Sequence, residues 1–155
     1  MLLHKNGRFT VGNLSFELPN KMMLIKFTDD NRFELKTVDD AVLCVLSFSS
    51  NFTDAEELLR DSVDTYDAAE MHIHSPVQPI KLGNVEGYHA RYDVHHPARK
   101  HVTPVRLIDE HAFTIHDGAQ TMVFEVYFIA LPTADLEQFN NIIADFIRKM
   151  LLVNQ

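Results

Sequence analysis

Over the first fifty positions apolar and polar residues alternate in short runs, the period-two pattern of half-buried strands. Phe9 and Val11 alternate with polar neighbours, and Leu14, Phe16 and Leu18 do the same up to Pro19, where ladder pairing stops. Met22 to Phe27 is a short apolar run that fits either period. Asp29-Asp30-Asn31 is turn chemistry, after which Phe33, Leu35 and Thr37 alternate up to a second turn at Asp39-Asp40. The run Ala41 to Leu46 is apolar on both phases, which predicts a strand buried on both faces and therefore a cover on each side of the sheet.

Two helical patterns can supply that cover. Thr53-Asp54-Ala55-Glu56 has the spacing of a capping box, with Thr53 accepting from the Glu56 amide. Behind it Ala55, Leu58, Leu59, Ser62, Val63 and Tyr66 fall on one face. The second pattern begins after Pro132 with Thr133 as the expected cap and Asp135 in the first turn. Leu136, Phe139, Ile142, Ile143, Phe146, Ile147 and Met150 form its apolar stripe, with Arg148 and Lys149 near the C-terminal end. Between the helices, His72 to Leu82 contains Pro76 and Pro79 and reads as an edge strand or irregular connection. Tyr88, Ala90, Tyr92 and Val94 alternate against His89, Arg91, Asp93 and His95. An extended stretch from Val102 to His116 leads into Asp117-Gly118, a strong hairpin signal, and Met122, Phe124, Val126 and Phe128 line the last strand. The order is strands, helix, strands, helix, so the expected fold is α+β: a central antiparallel β-sheet flanked by two helices.

The order of elements and two short motifs resemble the Mog1/PsbP-like superfamily. The segment Leu14-Ser15-Phe16-Glu17-Leu18-Pro19, the strand Val42 to Phe48 and the capped helix from Thr53 carry the first half of the resemblance. Leu82-Gly83-Asn84-Val85-Glu86-Gly87-Tyr88 leading to Tyr92, a long hairpin and the helix from Thr133 carry the second. Many bacterial members have a Gly-Trp after the Leu-Pro. Here Asn20-Lys21-Met22-Met23 follows, and the chain has no Trp. The resemblance implies a single Mog1/PsbP-like domain over 1–155, an α/β/α sandwich, and an adaptor or chaperone role, since members contact small GTPases, photosystem subunits or secreted effectors. No partner-binding residue of the family maps onto this chain.

Composition narrows the function classes. The chain has 155 residues, 46% of them hydrophobic, which is enough to build a core without staples. A net charge of −8 argues against bulk binding to nucleic acid or anionic membranes. No apolar run approaches ~18 residues, so no membrane insertion is expected, and the N-terminus lacks the apolar core of a signal peptide. One cysteine permits no intrachain disulfide, which suits a cytoplasmic location. That residue, Cys44, lies among apolar neighbours and reads as a small hydrophobe rather than a nucleophile. No Gly-x-Ser-x-Gly elbow and no Gly-rich phosphate loop is present, and acidic pairs such as Glu56-Glu57 and Asp109-Glu110 read as surface groups. No cofactor is implied.

Two features remain. The segment from Tyr88 to Arg106 carries Arg91, Arg99, Lys100 and Arg106 against the single carboxylate of Asp93. His89, His95, His96 and His101 can add charge there below about pH 6.5. Arg91, His95, His96, Arg99, Lys100, His101 and Arg106 are therefore the candidate surface for an acidic protein partner, a phosphate or a carboxylate. The plainer reading is a solvated loop kept soluble by charge. The second feature is an excess of histidine, nine copies. His72 and His74 point the same way on a strand, and with His89 they could hold zinc or nickel. No HExxH or CxxC motif accompanies them, and scattered surface histidines explain them as well. The leading expectation is a non-enzymatic protein-binding adaptor or chaperone-like module. The alternatives are a metal-dependent enzyme using those histidines and a small-ligand carrier with a pocket between helix and sheet.

Overall fold

A computed structural model describes residues 2–28, 32–65, 71–94 and 105–154, with backbone alone at 105 and 106. The elements are β1 (Leu2–Lys5), β2 (Arg8–Val11), β3 (Leu14–Glu17), β4 (Met22–Thr28), β5 (Arg32–Thr37), β6 (Val42–Ser49), α1 (Ala55–Asp64), β7 (Met71–Leu82), β8 (Val85–Val94), β9 (Val105–Asp117), β10 (Gln120–Ala130) and α2 (Leu136–Val153). Seven strands form one sheet in the order β4-β5-β6-β10-β9-β8-β7, with every pairing antiparallel. The first three strands form a separate small sheet, which the sequence pattern does not separate from the rest.

One helix covers each face of the large sheet. Side chains on a strand alternate between faces, and the core divides accordingly. Phe113, Ile115, Phe124, Val126 and Phe128 pack with Phe139, Ile142, Phe146 and Met150 of α2. Their strand neighbours Ala112 and Val123 pack with Ala55, Leu58, Leu59 and Val63 of α1. The small sheet shares the α2 side, where Val11, Leu14 and Phe16 join the larger cluster and Phe16 stacks on Phe124 at 4.8 Å. The described residues of both expected stripes face the core, fully or partly buried, and Tyr66 lies outside the described residues.

β6 departs from its expected burial on both faces. Val42, Cys44 and Leu46 are fully buried, but Leu43 and Val45 are only half-buried. The ten residues of α1 pack chiefly over β7 to β10. Cys44 sits on the covered face, where burial pushes its thiol well above the ordinary range.

The helix caps also move. Asp54, not Thr53, caps α1, accepting from the Glu56 amide at 2.9 Å. Asp135, not Thr133, caps α2 through the Glu137 amide at 2.9 Å. A turn from Leu131 to Ala134, closed by an amide–carbonyl bond of 2.9 Å, occupies Thr133 and delays the helix. Arg148 and Lys149 are not in the last turn, because α2 runs on to Val153. They pair instead with Asp145 at 2.9 and 3.1 Å. The β9–β10 hairpin turns at Gly118-Ala119, one residue later than expected, with Gly118 at φ +63°.

Two devices fix the small sheet. At the β2–β3 turn Gly12 has φ +54°, and a Cβ there would lie 2.1 Å from the His116 carbonyl oxygen, so the turn docks on the end of β9 only without a side chain. Asn13 and His116 then exchange bonds of 3.1 and 2.9 Å. At the other end Asn154 caps α2 and clasps Ser15 of β3, accepting from its amide at 2.8 Å and donating to its carbonyl at 2.7 Å.

Candidate functional site

Strand register assembles a polar stripe on the α2 side of β7, β8 and β9. His89, Arg91 and Asp93 share one phase of β8 and so project to one face. Their direct partners on β9 are His111 opposite His89 and Asp109 opposite Arg91. Asp109 is the hub of this stripe. Its Oδ2 accepts from His89 Nε2 at 2.9 Å and from Arg91 Nε at 2.7 Å, while Oδ1 accepts from His111 Nε2. The Arg91 guanidinium lies 5.8 Å from the centre of the Phe139 ring, so α2 closes over the ion pair.

Asp109 is 1% exposed and His111 5%. Burial by itself would raise the Asp109 carboxyl, but hydrogen bonds from His111 and His89 outweigh it and hold the group well below the usual carboxylate range. Burial presses His111 below its ordinary value, against the pull of Asp109. An ionised carboxylate only accepts, so His111 donates from Nε2, and a neutral ring leaves Nδ1 as an acceptor. That nitrogen is buried with no hydrogen-bond partner among the described residues.

Next along β8, Asp93 meets two histidines of β7. His74 Nε2 lies 2.8 Å from Asp93 Oδ2, and His72 Nδ1 lies 3.7 Å from the same oxygen. The expected trio of His72, His74 and His89 is thus divided. His72 and His74 gather on Asp93, whereas His89 belongs with Asp109 and His111.

The opposite face holds a second buried cluster, under α1. Glu110 Oε2 accepts from Tyr92 at 3.0 Å and Ser62 at 3.2 Å, and the Ser62 hydroxyl also bonds Tyr127. Burial, then the charge of Glu125, pushes the Glu110 carboxyl up to about 8. Asp109 and Glu110 are therefore not the surface pair that their adjacency suggests. They are buried on opposite faces, with opposite preferences for a proton.

β4 is the remaining anomaly. It is an edge strand, and Met23, Leu24, Ile25 and Phe27 are 44–52% exposed. Leu24 pairs with Leu35 and Phe27 with Phe33, so each projects to the same face as a fully buried neighbour. Phe9 of the small sheet covers Phe33 at 5.2 Å, whereas among the described residues Leu24 and Phe27 stay about half exposed. The apolar face of the sheet thus runs one strand beyond its cover.

Of the expected binding surface, Arg91 is in the ion pair with Asp109, with a quarter of its side chain exposed. His95, His96, Arg99, Lys100 and His101 lie outside the described residues, as does the side chain of Arg106. The cavity between α1 and the sheet, lined by Val63, Ile73, Val77, Ala90 and Tyr92, measures about 140 Å³. A small-molecule pocket usually measures about 300–1,000 Å³, a range that this cavity misses and that a hollow of about 410 Å³ beside α2, lined by Asn20, Lys21, Glu137, Asn141 and Asp145, falls within. No described helix is long and apolar enough to cross a membrane.

No protein-family model and no curated protein matches this chain. Among solved structures it is similar to a crystal structure from Bacteroides thetaiotaomicron, at 12% identity and a TM-score of 0.45. The match covers 91% of this chain and 47% of that one, so the chain spans about half the length of the structure it matches.

Proposed function

We propose that this chain is a protein-binding module, of the adaptor or chaperone kind, whose contact surface is the β4 edge. The observation that carries this reading is the uncovered apolar strand: four large apolar side chains about half exposed along one edge of the sheet. An edge strand offers a row of unpaired amides and carbonyls, and soluble proteins ordinarily blunt such edges with charge, proline or a covering loop. β4 has one charge, Lys26, and no proline.

The occupant proposed is an extended segment of another polypeptide. It would add a strand beside β4, satisfying the edge backbone, and its alternate apolar side chains would cover Leu24 and Phe27. A second copy of this chain fits less well, because each copy carries −8 and two copies repel. The Mog1/PsbP-like resemblance agrees with a binding role and supplies no residues for it.

The test compares the native chain with a Leu24→Asp, Phe27→Asp double variant in capture from the cell of origin. Support is a stoichiometric partner that the variant loses while keeping the native circular dichroism. A partner retained by the variant contradicts the reading, and so does a native chain that fills its own edge by dimerising.

A further inference from the structure

β7 is the other edge of the sheet, and its chemistry is unlike that of β4. His72 pairs directly with Asp93, so both side chains leave the same face. The register then shifts by one residue between Ile73 and Ser75, leaving His74 as the extra residue of a bulge. Bulges re-aim side chains, and here the ring of His74 comes to 4.7 Å from that of His72, edge to face, with its Nε2 on Asp93 Oδ2.

We propose that His72, His74 and Asp93 bind a single divalent transition-metal ion, zinc or a first-row neighbour, at the β7 edge. His74 Nε2 lies at hydrogen-bond distance from Asp93 Oδ2, at 2.8 Å. His72 at 3.7 Å is too far to add a hydrogen bond to that oxygen. The distance does suit a shared ion. A tetrahedral ion bound at about 2.0–2.1 Å sets its ligand atoms about 3.3 Å apart. The two nitrogen–oxygen separations, 2.8 and 3.7 Å, bracket that spacing, and all three donor atoms lie within 4.8 Å of one another. Two imidazoles with one carboxylate suit zinc, cobalt, nickel or copper, whereas calcium and magnesium take oxygen donors. The imidazoles are 69% and 41% exposed, which gives an ion a way in, and three ligands leave a fourth position open to water or a partner's side chain.

The neighbouring trio of His89, Asp109 and His111 has the same composition but is buried, with Asp109 1% and His111 5% exposed, so an ion has no ready way in. The Arg91 guanidinium already holds Asp109 Oδ2 at 2.7 Å, and a second cation would have to displace it inside the protein. The β7 site lies at the far edge from β4 and stands independently of any partner there.

The experiment titrates chelator-stripped protein with Zn²⁺ by calorimetry and with Co²⁺ by visible absorption. The expected result is one ion per chain and a Co²⁺ spectrum of low coordination number. His72→Ala, His74→Ala and Asp93→Asn should each weaken binding by more than the roughly tenfold lost when an outer-shell partner is removed. His116→Ala, an exposed histidine elsewhere, should leave it unchanged. His72 is mostly exposed, so His72→Ala keeps the fold, and its circular dichroism checks that. Absence of saturable binding overturns the proposal. So does a one-equivalent site that survives His74→Ala and Asp93→Asn.

Discussion

Arg91 and Asp109 stand directly opposite each other on β8 and β9, with Arg91 Nε donating to Asp109 Oδ2 at 2.7 Å beneath the Phe139 ring. Both belong to the same polar stripe, yet one is the only expected binding residue whose side chain is described and the other was expected at the surface. Their pairing makes the stripe a structural anchor: it fixes β8 against β9 and holds two imidazoles in place.

The first prediction follows from that anchor. Asp109→Ala leaves a guanidinium and two imidazole N–H groups facing a hole. Breaking a buried pair by removing one partner costs about 3–5 kcal/mol. Asp145→Ala, which removes the partner of the exposed Arg148 on the surface of α2, should cost less than about 1 kcal/mol. Denaturant unfolding of the two variants checks the contrast.

The second prediction concerns pH. The Glu110 carboxyl is raised from 4.5 to about 8, so between those values the native state holds a proton that the unfolded chain has released. Its contribution to stability is full below about 4.5 and is lost as pH rises through about 8. Asp109 and His111 are both lowered, so their contributions act in the opposite sense and fade as pH falls below their ordinary values of 3.8 and 6.5. Glu110→Gln mimics the protonated acid. Its stability should match the native chain near pH 5 and exceed it near pH 9, as measured by unfolding across that range.

Asn154 supplies the third. Asn154→Ala removes the bonds to both backbone groups of Ser15 and the bond to the Met150 carbonyl. Leaving part-buried backbone groups unpaired costs about 1–3 kcal/mol. The loss should fall on the small sheet, so amide exchange at 14–17 should quicken more than exchange at 124–128.

Most of the fold is legible in the sequence, and the parts that are not have physical reasons. The stripes of α1 and α2 and the edge position of β7 follow from periodicity and from Pro76 and Pro79. The caps went to Asp54 and Asp135 because tertiary contacts and a local turn set where each helix starts. The stripe was half visible. His89, Arg91 and Asp93 share a phase in one strand, but Asp109 and His111 join them only through the register of β8 on β9. A signal was present in the run Asp109-Glu110-His111, three polar residues inside a strand flanked by Ile108 and Ala112. A run of that kind on both phases of a central strand implies buried partners on both faces. The exposure of β4 could not be read from the chain, because it depends on how far the small sheet and α2 reach across the large one.

The most direct measurement on the β4 edge is hydrogen–deuterium exchange of the chain free and bound to the captured partner. A partner strand added beside β4 should protect the amides of 22–28 more than any other segment, with little change at 85–94. Unaltered exchange across 22–28, with protection appearing elsewhere, would place the partner on a different surface and contradict the account.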